Sequence, residues 1–345
     1  MAAKSYNVGY GPNPTQVQYI ASKDILTTAP AISVLDIACE KKTMNRQMGA
    51  SIVYRRWFTG AVDSTPAPEG AVKEARTLTW EDYYVTMLRY TERYQVTRVD
   101  YDLSPFNAVK GATERLKQLI ISTRERVRWN AGVAGTNVLY NSAAVTARNQ
   151  VNGPLTPGRF QTIGRSLENL KAMPFQPAIQ GANKEGTSPV EEAFYVFTHT
   201  DNQPDLRGFP GFTMAVQYPN GSKAHKREFG AWQQFRFFTT PEAIKYSAGG
   251  AASTTMLNTG GVTDVYPTLV CGKEALCSVK LEGDGKEGFG NMGVDILDKP
   301  DKADPNNSWV DIVASWYDAA LITANDWIWR LESGATANLL SLIHI

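Results

Sequence analysis

Gly283, Gly285 and Gly288 fall in the spacing GxGxxG behind a strand-like stretch. In that pattern the glycines let backbone approach a dinucleotide pyrophosphate held at a helix N-terminus. The residues that follow, FGNMGVDILDKPDKADPNN, cannot supply such a helix, and Asp284 and Glu287 would repel the pyrophosphate. No cofactor is expected. Three cysteines, Cys39, Cys271 and Cys277, make neither a disulfide framework nor a zinc ribbon, and they read as small buried hydrophobes. If one strand runs from Val270 to Leu281, Cys271 and Cys277 lie ~20 Å apart on one face, too far to bridge. With only His199, His225 and His344 in the chain, a histidine metal site is not expected either. Walker A, HExxH and GxSxG sequences are absent, and aspartates and histidines are scattered. The chain does not read as an enzyme. A hydrolase or nucleotide-binding enzyme would rest on the glycine motif alone, although residues distant in sequence can still meet in a fold.

Two other groups could do chemistry by binding. Lys110, Arg115, Lys117, Arg124, Arg126 and Arg128 stand against Glu114 and Glu125 within one helical stretch. Such a face either carries intersubunit ion pairs in solvent or turns toward double-stranded DNA and touches phosphates without reading bases. Aromatic side chains are dense around Trp57, Trp80, Tyr84 and Tyr90 and again near Trp327 and Trp329. They could stack on single-stranded bases beside Arg55 and Arg56. The stronger reading makes them core and interface anchors, since large aromatics dominate buried protein contacts.

The elements that position these residues follow from periodicity. Residues 51–99 hold two strand-like runs, IVYRRWFTG and RTLTWEDYYVTMLRYTERYQVTRV, joined by the loop TPAPEG. From Leu88 onward Leu88, Tyr90, Tyr94 and Val96 alternate with polar neighbours at the strand period. A ribbon this long is marginal alone and is expected to lie on something else, most economically another copy of the chain. Ser104 before Pro105 predicts a helix start. Val109, Ala112, Leu116, Leu119, Thr123, Val127 and Ala131 then keep helical spacing over ~28 residues, or ~42 Å.

Elsewhere, Ile32, Leu35 and Cys39 predict a short amphipathic helix within residues 31–42, and Thr156 with Pro157 a second helix to about Ala172. Residues 174–189 read as a loop and EEAFYVFTH as a strand, while GGAASTTMLNTGG reads as a flexible surface loop. PTLVCGKEALCSVKLEG is one strand or a tight pair. SWVDIVASWYDAALITANDWIWRLESG is read as a hairpin turning at Asn325 and Asp326, with Trp327, Trp329 and Leu331 on one face. The fold class is α+β.

Composition sets bounds on this reading. The 345 residues balance 35 basic against 34 acidic side chains, so no global charge calls for nucleic acid or an anionic membrane. No apolar run approaches the ~18 residues that span a bilayer, and the N-terminus lacks signal-peptide order. A soluble protein made in a cytoplasm is expected, with no membrane partner.

In this order the elements resemble a known family. The ribbon closed by TPAPEG, the helix ending in NAGVAGTNVLY, the strand VYPTLVCGKEAL and the closing WYDAALITANDWIWRLE are similar to major capsid proteins of tailed bacteriophages. The type is that of the podophages that inject a giant virion RNA polymerase, and the likeness covers about residues 20–335. Its most specific pieces are the TP-x-x-EG tip, GTNVLY, TLV-x-GK-x-A and NDWIWRLE; the linker KPDKADPNNS and the terminal SLIHI depart from it.

The resemblance implies the Hong Kong phage capsid fold. Residues 1–49 would be the N-terminal arm and 50–100 the extended E-loop. Residues 101–155 would be a peripheral domain with its spine helix, 156–281 mainly the axial domain, and 282–345 return strands and tail. It implies a structural virion protein that self-assembles as pentamers and hexamers into an icosahedral head around double-stranded DNA, built in the host cytoplasm. An encapsulin-like compartment shell is the alternative within that fold. Intersubunit contact is expected through Trp57, Pro66, Pro68, Glu69, Trp80, Tyr84 and Tyr90, and the basic helix residues are candidates to face DNA. A separate scaffolding protein and a portal are the other partners expected, and whether a decoration protein binds the outer face is left open.

Overall fold

The computed structural model describes residues 33–47, 49–67, 69–70, 72–103, 108–175, 192–218, 223, 225, 227–282, 293–300 and 304–337. Two sheets are bridged by one helix, and a two-stranded ribbon projects from them. The first sheet contains β1 (Cys39–Met44), β4 (Leu88–Thr97), β13 (Leu276–Leu281), β14 (Gly293–Leu297) and β15 (Trp309–Ile322). The second runs in the order β5 (Val138–Tyr140), β16 (Ile328–Ser333), β12 (Tyr266–Cys271), β6 (Phe194–His199), β9 (Phe235–Thr240), β8 (Glu228–Trp232), β7 (Thr213–Met214). The ribbon is β2 (Ser51–Phe58) paired antiparallel with β3 (Thr79–Thr86).

The bridging helix, α2 (Ala108–Val133), follows the short α1 (Arg98–Leu103) and matches the apolar spacing read from the sequence. Its proposed start at Ser104 and Pro105 lies outside the described residues. Its first half packs Leu116 and Ile120 on Ile312, Ala314 and Trp316 of β15. Its last turns bring Trp129 and Val133 against Leu269 and Ile328 of the second sheet. Gly132 permits that approach, since a Cβ there would sit 2.7 Å from Leu269 Cδ1.

The second sheet is covered on both faces, which is why FYVFT in β6 reads as an unbroken apolar run. Tyr195 and Phe197 face the α2 side, while Phe194 and Val196 face Phe160, Ile163 and Leu167 of α3 (Pro157–Asn169). Pro157 opens α3 as expected, but Thr156 does not cap it; the Thr156 hydroxyl donates to the Asn141 carbonyl at 3.1 Å. The short α4 (Gln203–Arg207) follows β6.

Several sequence expectations are corrected. The helix expected within residues 31–42 is, where described, one 3-10 turn, Leu35–Ile37, running into β1, which pairs parallel to β13. The second ribbon run breaks at Met87, and its remainder leaves the ribbon to pair with β15 along ten residues as β4. The stretch 266–281 is two strands in two different sheets, split where Glu274 adopts φ 64°. The closing stretch is no hairpin, because β15 and β16 also part into separate sheets around the 3-10 turn Asn325–Trp327. The supposed flexible loop carries a small hairpin, β10 (Asn258–Thr259) with β11 (Val262–Thr263), turning on Gly260 and Gly261 at positive φ. The motif glycines 283, 285 and 288 lie outside the described residues.

Candidate functional site

Strand pleating separates the ribbon into two faces with different fates. In the register Ser51↔Thr86 to Phe58↔Thr79, Val53 opposes Tyr84, Arg55 opposes Asp82 and Trp57 opposes Trp80 on one face. That face points away from the body. Val53 is 48% exposed, Trp57 52%, Trp80 49% and Tyr84 71%. Its surface is ordered by internal contacts. The two indoles meet edge-on with centroids 5.2 Å apart, and the Arg55 guanidinium lies 4.8 Å from the Trp80 ring. Arg55 also donates to both Asp82 oxygens, at 2.7 and 2.9 Å, and those bonds hold the Asp82 carboxyl below its usual range.

The opposite face is tied down. Ile52, Tyr54 and Val85 pack on Met44, Cys277, Val279 and Ala319 at the ribbon's base. Farther out, Arg56 donates to the Thr323 carbonyl at 3.5 Å and lies 4.5 Å over the Trp327 ring. A cleft of about 190 Å³ lined by Glu40, Lys42, Tyr54, Arg56, Tyr83 and Trp327 opens under this side. Adjacent arginines thus do opposite work: Arg55 dresses the outer face and Arg56 pins the inner one.

The ribbon's connection is irregular and exposed, and it carries Pro66 and Glu69; Pro68 lies outside the described residues. Asp63 organises it by accepting from the Thr65 amide at 2.9 Å and pairing with Lys73 at 3.0 Å and Arg76 at 3.3 Å.

Trp57, Trp80 and Tyr84 therefore come together on one exposed face, as does Arg55 with Asp82, which sequence reading did not single out. Their common parity from Arg55 to Trp57 and from Trp80 to Tyr84 was the available signal. Tyr90 does not join them. It lies in β4 and stacks on buried Trp316 at 5.9 Å, so its aromatic surface is used within the chain.

The basic helix is corrected in the same way. Arg124 is 5% and Arg128 2% exposed, so neither is available to DNA. Arg124 stands 3.8 Å from Asp318, and Arg128 reaches Asp36 at 3.0 Å and the Ser33 hydroxyl at 3.0 Å. Lys110, Arg115, Lys117 and Arg126 are exposed. They do not form one face: at 3.6 residues per turn, the Lys110 and Lys117 pair points roughly 160° away from the Arg115 and Arg126 pair.

Among the described residues no helix is long and apolar enough to cross a membrane, and no cluster of histidine, cysteine and carboxylate side chains could hold a metal ion.

The two sheets, bridging helix and projecting ribbon define a fold already seen in phage shells. The chain superposes on a subunit of the capsid of Ralstonia phage GP4 with a TM-score of 0.68 at 11% identity, covering 97% of this chain and 99% of that one. The capsid asymmetric unit of cyanophage Pam1 gives 0.63 at 10% identity over 96% and 100%. The head of Helicobacter pylori bacteriophage KHP40 gives 0.61 at 9% over 95% and 98%. The chain thus has the mixed α+β fold of tailed-phage capsid subunits. In sequence it is 26% identical over 247 residues to the major capsid protein of Pseudomonas phage KPP21, an alignment covering 66% of this chain and 59% of that relative's length. No family model matches the chain.

Proposed function

We propose that the chain is a major capsid protein, a non-enzymatic subunit that assembles with copies of itself into the icosahedral head of a tailed phage around double-stranded DNA. The observation that carries this reading is a match to phage capsid subunits over nearly the whole of both chains. It is supported by a ribbon whose large aromatic side chains point away from their own body, as contact residues awaiting another copy would. The sequence pieces resembling the podophage coat proteins make that the particular family we favour.

In this reading the ribbon is the E-loop, with Trp57, Trp80 and Tyr84 meeting a neighbouring copy and Pro66, Pro68 and Glu69 at its far end. The five-stranded sheet with α2 is the peripheral domain and the seven-stranded sheet the axial domain. Pentamers and hexamers reuse the same heterologous surfaces, and the ribbon's exposed outer face is the surface it offers to a neighbour. A scaffolding protein and a portal complete the assembly. DNA is met by non-specific phosphate contacts, for which Lys110, Arg115, Lys117 and Arg126 remain the helix candidates.

Electron microscopy of the purified chain, alone and with a head-assembly partner, tests the reading. Closed icosahedral particles or capsomer-sized rings are expected. A monomer that stays monomeric at every concentration and with the partner overturns it. Uniform shells from the chain alone would remove the scaffolding protein while leaving the rest.

A further inference from the structure

His199 ends β6 and begins the 3-10 turn Thr200–Asn202, which leads into α4. The Asp201 amide of that turn donates to His199 Nδ1 at 3.1 Å, so an imidazole fills the place that a serine or aspartate oxygen usually takes at a cap. The same ring donates to the Pro241 carbonyl. With Nδ1 accepting, Nε2 carries the proton, and the two bonds together select one neutral tautomer. The turn secures more than itself. Asn202 donates to the Thr198 hydroxyl at 2.8 Å, and Asp205 of α4 accepts from the Thr336 amide at 3.0 Å, which ties the closing segment to this end of the second sheet.

A second proton on the ring would sit on Nδ1, where the Asp201 amide hydrogen already points. The groups around it set the cost. The His199 side chain is only 14% exposed, and the Tyr266 ring of β12 lies against it with centroids 5.1 Å apart. The Lys245 ammonium, paired with Asp264 at 2.8 Å, adds a like charge from the segment after β9. Only the Asp201 carboxylate, 3.2 Å from Nδ1, favours the charged ring, and that same oxygen already accepts from the Tyr266 hydroxyl at 2.8 Å. We propose that His199 is a proton-sensitive cap: the neutral ring holds the turn between β6 and α4, and protonation takes that hold away. Burial and Lys245, opposed by Asp201, hold the imidazole below its ordinary 6.5. A histidine lowered in this way binds its proton less tightly in the folded chain than in the unfolded one. Its contribution is fully present above 6.5 and is lost as pH falls through the lowered value. The cap does not depend on the shell reading.

An NMR titration of the full chain tests it, following the His199 ring carbons and the Asp201 amide. The His199 signal should titrate below 6.5, and the Asp201 amide should move with the same midpoint as its acceptor is lost. His199→Asn offers an oxygen near the place of Nδ1 and does not titrate, so its Asp201 amide should stay in place from about pH 8 to about pH 5. Urea midpoints over that range should show the unaltered chain losing stability relative to the variant. At the acid end the loss is about tenfold in the folding equilibrium for each unit by which the midpoint lies below 6.5. A His199 midpoint at or above 6.5 overturns the proposal, because the Asp201 carboxylate then outweighs the cap. An Asp201 amide that ignores the His199 titration overturns it as well. Both readings come from the unaltered protein, with signals assigned through the backbone, and stand even if the variant does not fold. A relative stability that does not change with pH in a folded variant is a third result against it.

Discussion

The ribbon's outer face and the layer beneath α2 are built from the same parts and end in opposite environments. Each combines an aromatic pair with arginine–carboxylate contacts: Trp57 and Trp80 beside Arg55 and Asp82 on the ribbon, Tyr90 and Trp316 near Arg124 and Asp318 inside. The first set is about half exposed, while Trp316 and Asp318 are sealed. β3 and β4 are separated by a single residue, Met87, yet Trp80 and Tyr84 of β3 face out and Tyr90 of β4 faces in. The difference teaches that residue type marks a contact surface without saying whose. The fourteen-residue β15 pairs with β4, and among the described residues nothing covers the outer face of β3.

That contrast can be broken most directly at Trp316. Replacing it by alanine removes a fully buried indole between β15, β4 and α2, and should cost about 3–5 kcal/mol of folding stability, read as a lower urea midpoint at unchanged slope. A loss below about 1 kcal/mol would mean that the inner pair is no more structural than the outer one.

The next effect is a pH dependence carried by the buried charged groups beside α2. Burial pushes the Glu125 carboxyl above its ordinary 4.5 and the Asp318 carboxyl above its ordinary 3.8, against the pull of hydrogen bonds and arginines. Asp36 moves the other way: burial opposes it, but Arg128 and Lys41 together hold it below 3.8. A raised group binds its proton more tightly when folded, so its contribution is fully present below the ordinary value and is lost as pH rises through the folded one. The contribution of Asp36 is present above 3.8 and fades as pH falls through its lowered value. The stability of the unaltered chain relative to Glu125→Gln should therefore grow as pH is lowered from neutrality toward 4.5, measured by urea midpoints across that range. A difference that shrinks on acidification would reverse the assignment.

The smallest effect on folding should come from the outer pair. Trp57→Ala with Trp80→Ala gives up an exposed edge-on contact worth about 0.5–1.5 kcal/mol and should leave the midpoint nearly in place. Association is where the double variant should fail, with particles or rings lost in sedimentation while the monomer stays folded. Normal assembly by this variant would take the outer face out of the interface.

Local pattern carried much of the fold. Helical spacing from Val109 to Ala131 marked α2, proline after Thr156 opened α3, and EEAFYVFTH marked the strand β6. The shared face of Trp57, Trp80 and Tyr84 was open to the same parity argument, which was applied only from Leu88 onward. These signals are legible because they repeat at the period of the element itself.

What the sequence left open was pairing at long range. PTLVCGKEALCSVKLEG read as one strand or a tight pair and the closing stretch as a hairpin, and in both the second strand crosses to the other sheet. The six cations of α2 read as one basic face, yet Arg124 and Arg128 are drawn inside by Asp318, Asp36 and Glu125, whose partners lie far away along the chain. By itself the sequence determined where the long helix and most of the strands would form, because those depend on neighbours within a turn or two. Only the tertiary structure decided which surfaces are covered from within, because burial and charge pairing depend on contacts between residues that the chain order does not place together.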